Sequence, residues 1–264
     1  MGRAIVSSRE PIQIGTVLSG AFGLISRRPA AVLGVGLIAT LPAQLLNLLL
    51  ENLGLLPPLT GTNWVSLAPV LIAAGLFGCI LQTFAEGALV GAALAERVRK
   101  PIRFFETLIP ALQCLPVIIP VALLFALGVS VGFVLLVIPS VILLLAWSVT
   151  GPVIVAERTG ITEAFRRSQA LTDNTRGRIF LLNVAAGLMT AIFHWTVGRL
   201  DLLAFDTGSI DANYATQTGS FLVQTLSALV ITAFNTALSC ALYIALLERS
   251  GGSPMTGHLE EIFA

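Results

Sequence analysis

The sequence predicts an all-α, polytopic membrane protein: six transmembrane helices joined on the cytoplasmic side by amphipathic elbow helices. Three observations lead there. Only 11% of the 264 residues are charged, against about 25% in an ordinary soluble domain. Mean hydropathy is +0.91, the value of a chain whose solvent is largely lipid. From Thr107 to Ala156, fifty consecutive residues lack any Asp, Glu, Lys or Arg. At about 20 apolar residues per crossing, that run alone crosses a bilayer twice.

Charge-free runs set against turn signals divide a single membrane domain, 1–264, into six spans. The first covers about 29–50 and is closed by Glu51 and the turn-rich NLGLLPPLTGTN. The second, about 67–95, ends at the basic cluster ERVRKPIR. The third (about 112–136) and fourth (about 140–156) divide the fifty-residue run near Pro139-Ser140, where proline disfavours helix continuation. The fifth is about 179–198. The sixth, about 220–247, is stopped by Glu248-Arg249 and Gly251-Gly252.

The placement of Lys and Arg checks the count independently. Arg3, Arg9, Arg27 and Arg28 precede the first span; Arg97, Arg99, Lys100 and Arg103 separate the second from the third. Arg158, Arg166, Arg167, Arg176 and Arg178 separate the fourth from the fifth, and Arg249 follows the sixth. Six spans therefore put fourteen of the fifteen basic residues on one face, leaving Arg199 with Glu51, Asp201, Asp206 and Asp211 on the other. By the positive-inside rule the basic face is cytoplasmic. The expected location is the bacterial inner membrane, multi-pass, with both termini in the cytoplasm. The first residues do not read as a secretory signal, because no short apolar core with a cleavage site precedes Arg27-Arg28. Val6 stands where a myristoylation signal wants Ser or Thr.

The segments that lead into the three hairpins resemble one another. Ile12, Ile102 and Ile161 are each followed nine residues later by alanine (Ala21, Ala111, Ala170) and then by a large apolar residue (Phe22, Leu112, Leu171). This suggests three units of elbow helix plus helical hairpin. The third elbow is the most polar. Ile161, Ala164, Phe165, Ser168 and Leu171 recur at helical spacing, with Arg166, Arg167, Gln169 and Asp173 off that stripe. It reads as an amphipathic helix at the inner membrane surface, its arginines at headgroup level. An elbow that only anchors the chain and a site for an anionic headgroup both account for those arginines. The candidate site is Glu157, Arg166, Arg167 and Ser168, with Glu157 expected to pair with Arg158, Arg166 or Arg167.

The same stretch resembles the bacterial membrane-domain family sometimes fused to glycerophosphoryl diester phosphodiesterases, and its stand-alone inner-membrane relatives of poorly defined function. Trp147, Pro152 in GPVIVAE, Glu157, Gly160, Ala164 and RSQALT (Arg167–Thr172) carry the likeness, with RGRIF leading into the next span. Where the family commonly has glycine after the Leu-Thr pair, this chain has Asp173-Asn174. The resemblance implies a six-helix membrane module and no particular reaction. Phosphodiester hydrolysis needs a soluble domain with clustered acidic and histidine groups, and no polar segment here exceeds about thirty residues. Only two histidines occur, His194 and His258, and HExxH, CxxC and GxxxxGK[ST] are absent. The expectation is a protein that is not an enzyme and uses no cofactor and no metal. Cys79, Cys114 and Cys240 lie in apolar segments without metal-site spacing and read as small buried hydrophobes.

Ionisable groups inside the hydrocarbon are the remaining candidates. Glu86 lies about 15 Å deep at helical rise and is followed by Gly87, Gly91 and Ala95, a small-residue face that permits close helix contact. It belongs either to a proton or substrate pathway or to a structural bond with Asn183, Asn235 or His194. His194 itself, beside Trp195 and five residues before Arg199, reads as part of an interfacial anchor. Gly128 and Gly132 read as a second helix contact, and Pro116, Pro120, Pro139 and Pro152 as kinks. Two functions are carried forward: binding or transport of a lipid or small amphiphile in membrane homeostasis, and a structural or accessory subunit of a membrane complex. The expected partners are membrane lipids and other membrane proteins, not nucleic acid.

Overall fold

A computed structural model describes residues 13–55, 64–97, 104–135, 137–205 and 213–250. Arg3, Arg9, Arg99, Lys100, Arg103, Asp206, Asp211 and His258, and the repeat positions Ile12 and Ile102, lie outside the described residues. Every element among the described residues is a helix. Among the described residues, six stretches are long and apolar enough to cross a membrane: Pro29–Asn52, Ala68–Leu94, Leu115–Gly132, Ile138–Glu157, Arg176–Asp201 and Thr218–Arg249. The protein is thus an all-α polytopic membrane protein, and the spans fall within a few residues of those expected.

The helices group into three units. The first is α1 (Ile14–Arg27), α2 (Pro29–Asn52) and α3 (Trp64–Arg97). The second is α4 (Phe104–Gln113), α5 (Leu115–Leu135), and the pair α6 (Val137–Ala146) and α7 (Thr150–Glu157). The third is α8 (Ile161–Thr172), α9 (Arg176–Phe205) and α10 (Asn213–Arg249). Each unit is a short elbow followed by a hairpin.

The units are arranged cyclically. Each elbow packs on the second helix of the preceding unit: α1 on α10, α4 on α3, α8 on α7. The three second helices meet at the centre, α3 touching both α7 and α10. Each ends on a related tripeptide, Ala95-Glu96-Arg97, Ala156-Glu157-Arg158 and Leu247-Glu248-Arg249. The first and third units match at an interval of 147 residues, from Ile14 to Ile161. At that interval buried positions coincide: Val17 with Ala164, Ala21 with Ser168, Val32 with Ile179, Val35 with Leu182 and Ala39 with Ala186. The threefold organisation is therefore present, but the third copy is shifted by two residues from the alignment through Ala170. That alanine is exposed, and Ser168 takes the buried place of Ala21.

The fourth span is broken at Trp147-Ser148-Val149, and the break has a local cause. The Thr150 N–H turns to Trp147 O (3.1 Å) instead of Ala146 O, and Pro152, having no N–H, fits the first turn of the new helix. Ala146 O is thereby released inside the bundle, where an unpaired carbonyl is costly. Ser168 Oγ (2.9 Å) and Thr172 Oγ1 (3.3 Å) on α8 donate to it. The apolar stripe of α8 thus lies against α7, α6 and α5. The helix is amphipathic as expected, but its apolar face meets protein where the sequence suggested lipid, because α8 has a broken helix to satisfy.

Glycines set the closest approaches. A Cβ at Gly87 would overlap Val155 of α7, and one at Gly151 would come within 3.2 Å of Thr83 Cγ2. Gly128 makes room for the Trp147 ring, and Gly132 for the Ser140 backbone at the turn of the hairpin. These small-residue faces are spent inside the bundle.

Candidate functional site

One seam of the cyclic arrangement is not closed. In the first unit α2 packs along α10, and in the second α5 packs along α3; the corresponding contact of α9 with α6 is sparser. A cavity of about 890 Å³ occupies this seam, walled by α3, α5, α6, α7, α9 and α10. It lies at the upper end of the range for small-molecule sites, about 300–1,000 Å³.

Its polar groups come mostly from the central helices. Glu86 and Gln82 are one turn apart on α3, the spacing that brings side chains together, and Gln82 Nε2 donates to Glu86 Oε1 at 3.2 Å. The same nitrogen reaches Thr236 Oγ1 of α10 at 3.3 Å. Thr83 Oγ1 turns back to Cys79 O (2.8 Å). Glu86 Oε2 lies beside Gly151, 3.0 Å from where a Cβ would stand. Ser239 Oγ on α10 is near the carboxylate, yet it is enclosed without a partner in hydrogen-bond geometry. Asn183, Thr190 and His194 on α9 and Asn235 on α10 complete the polar lining. Phe125, Trp147 and Phe180 supply aromatic surface. Phe125 and Trp147 pack with ring centroids 6.2 Å apart, and Trp147 packs on Phe165 of α8 at 4.6 Å.

Glu86 therefore lines an open space. The partner found for it is Gln82 on its own helix, in place of Asn183, Asn235 or His194; those three face the same cavity without a hydrogen bond to it. The Gln82–Glu86 pair was visible in the sequence as an i, i+4 spacing. Ser239, Trp147 and His194 as cavity residues were not, since only the packing of α10, the α6–α7 break and α9 brings them to one space. His194 lines the cavity, while Trp195 beside it is exposed with the Arg199 guanidinium 5.4 Å from its ring centroid, as an interfacial anchor would be.

The elbow residues separate into two groups. Arg167 Nε contacts both oxygens of Glu157 (3.0 and 2.9 Å), and Tyr243 Oη of α10 donates to Glu157 Oε1 at 3.2 Å. This cluster ties α8, α7 and α10 together. Ser168 is fully buried and committed to Ala146 O. Arg166 is exposed and opens, with Arg167, Arg176, Gln169, Glu163 and Asp173, onto a shallow hollow of about 480 Å³. Arg176 approaches Asp173 at 3.8 Å. Arg158 turns away to Gln113 Oε1 (3.2 Å). Of the four expected site residues, Arg166 and Arg167 reach the hollow, whereas Glu157 and Ser168 bind protein.

Among the described residues no group of three His, Cys, Asp or Glu side chains is placed to hold a metal. Comparison with protein-family models, with curated proteins and with solved structures finds no match.

Proposed function

We propose that the protein binds a lipid or small amphiphile within the membrane, in the cavity beside Glu86. The observation that carries this reading is the cavity itself: a space of about 890 Å³ with polar groups on its central wall and apolar side chains toward α5 and α6. A sealed bundle would have buried Glu86 against a neighbour. For the accessory-subunit reading, Gly87, Gly128, Gly132 and Gly151 are occupied by contacts inside the molecule, whereas Gly23, Gly75 and Gly198 have no atom within 4 Å of a Cβ position. Kinship with the membrane domain associated with glycerophosphoryl diester phosphodiesterases is part of the same proposal and rests on the Trp147–Phe180 stretch. Arg166 and Arg167, on the face proposed to be cytoplasmic in the inner membrane, would meet anionic headgroups there.

Gly187 offers the test. It lines the cavity, and no atom lies within 4 Å of the position a Cβ would take, so a side chain can be added there, and Gly187→Phe is expected to project into the space. Native mass spectrometry of protein released from its own membrane is expected to show an amphiphile retained by the wild type and lost from Gly187→Phe. Equal retention by a correctly folded Gly187→Phe would overturn the assignment.

A further inference from the structure

We propose that the ligand of this cavity is a cationic amphiphile, a single apolar chain bearing a protonated amine, held by the Glu86 carboxylate. The inference rests on the cavity reading above and adds the charge of the occupant. Among the described residues that line the cavity, Glu86 is the one carboxylate, and neither Lys nor Arg is present. An anionic headgroup would be placed against a carboxylate with neither Lys nor Arg to offset it, which is strongly unfavourable away from water. An ammonium meets the reverse situation. Glu86 Oε1 is engaged by a single amide N–H, leaving acceptor capacity on Oε2. Ser239 lies near it, and Thr83 and Asn235 line the same cavity as further hydrogen-bonding groups. Trp147 and Phe125 are among the lining residues, and aromatic rings attract a cation. The chain of the amphiphile then follows the apolar wall of Val121, Val141 and Leu144 toward the open seam.

The internal repeat supplies a control. Glu86 stands ten residues before Glu96 of the closing tripeptide of its unit. The residues ten before Glu157 and Glu248 are Trp147 and Leu238, and both also line the cavity. The architecture is thus built twice without a carboxylate at this position. The charge of Glu86 belongs to the cavity and is not demanded by the fold.

Equilibrium binding of radiolabelled dodecylamine to the purified protein in non-ionic detergent tests the proposal, with dodecanol and dodecanoate used as competitors and also measured as labelled ligands, and with Gly187→Phe as the blocked cavity. Saturable binding is expected, competed by unlabelled amine, weakly by the alcohol and not by the carboxylate. Glu86→Gln, isosteric and still able to meet Gln82, is expected to weaken binding about tenfold or more, with partial recovery in Glu86→Asp. Unchanged affinity in Glu86→Gln, or competition by all three chains alike, would sink the charge assignment and leave the cavity reading intact. Absence of saturable binding for every chain, or equal binding by Gly187→Phe, would remove the cavity reading as well.

Discussion

Two residues that flank α8 hold left-handed backbone. Asn174 has φ of 59° and Arg158 has φ of 48°, a conformation that costs an ordinary L-residue about 1–2 kcal/mol and asparagine less. The sequence departs from its resemblance here by placing Asp173-Asn174 where glycine is usual, and asparagine is the side chain best able to keep the same turn. Asn174→Ala is therefore expected to lower unfolding stability in detergent by about 1 kcal/mol, and Asn174→Gly to leave it nearly unchanged; equal loss from both would mean that the side chain, not the backbone, matters. Ser168→Ala is expected to cost about 1 kcal/mol, since Ala146 O would keep only the longer bond from Thr172. The same variant should leave anionic lipid at the elbow unaffected, in contrast to Arg166→Ala. Ser168 entered the candidate site because it adjoins two arginines; that it faces inward depends on a carbonyl released 22 residues upstream, which no local pattern announces.

At the scale of elements, the elbows were legible and their surroundings were not. Ile161, Ala164, Phe165, Ser168 and Leu171 describe one face of a helix whatever that face meets. Lipid and a protein groove demand the same apolar stripe, so the choice between them lay in the break between α6 and α7. The arginines divide for a related reason. Arg167 follows the buried face closely enough to reach Glu157, and that pair with Tyr243 fastens α8 to α7 and α10; Arg166, one residue earlier, projects outward. Arg167→Ala is accordingly expected to destabilise by about 1 kcal/mol, the upper end for a pair that remains partly exposed, and Arg166→Ala by less than about 0.5 kcal/mol. Thermal unfolding of the two single variants in the same detergent distinguishes them, and a reversed order would mean that the pairing at Glu157 does not fasten the elbow.

For the molecule as a whole, three elbows lie at one end of the bundle because each unit repeats the same order, and six crossings return the chain to that end each time. The spans could be read because about 20 apolar residues are needed whatever their neighbours. The cavity could not, because it arises where α9 stands away from α6 while α2 and α5 close their own seams, a difference of packing among three similar units. The repeat also fixes a test of orientation. Glu163 is exposed on α8 at the elbow end, and Leu53 is exposed at the far end of α2. With Cys79, Cys114 and Cys240 replaced by alanine, one cysteine is introduced at a time. In intact spheroplasts a membrane-impermeant maleimide is expected to label Leu53→Cys and to reach Glu163→Cys only after the membrane is opened. The reverse pattern would place the basic elbows outside, against the fourteen-to-one distribution of Lys and Arg. Immediate labelling of both would mean that the three spans between residues 53 and 163 do not place them on opposite faces, and the six-crossing topology would fall with it.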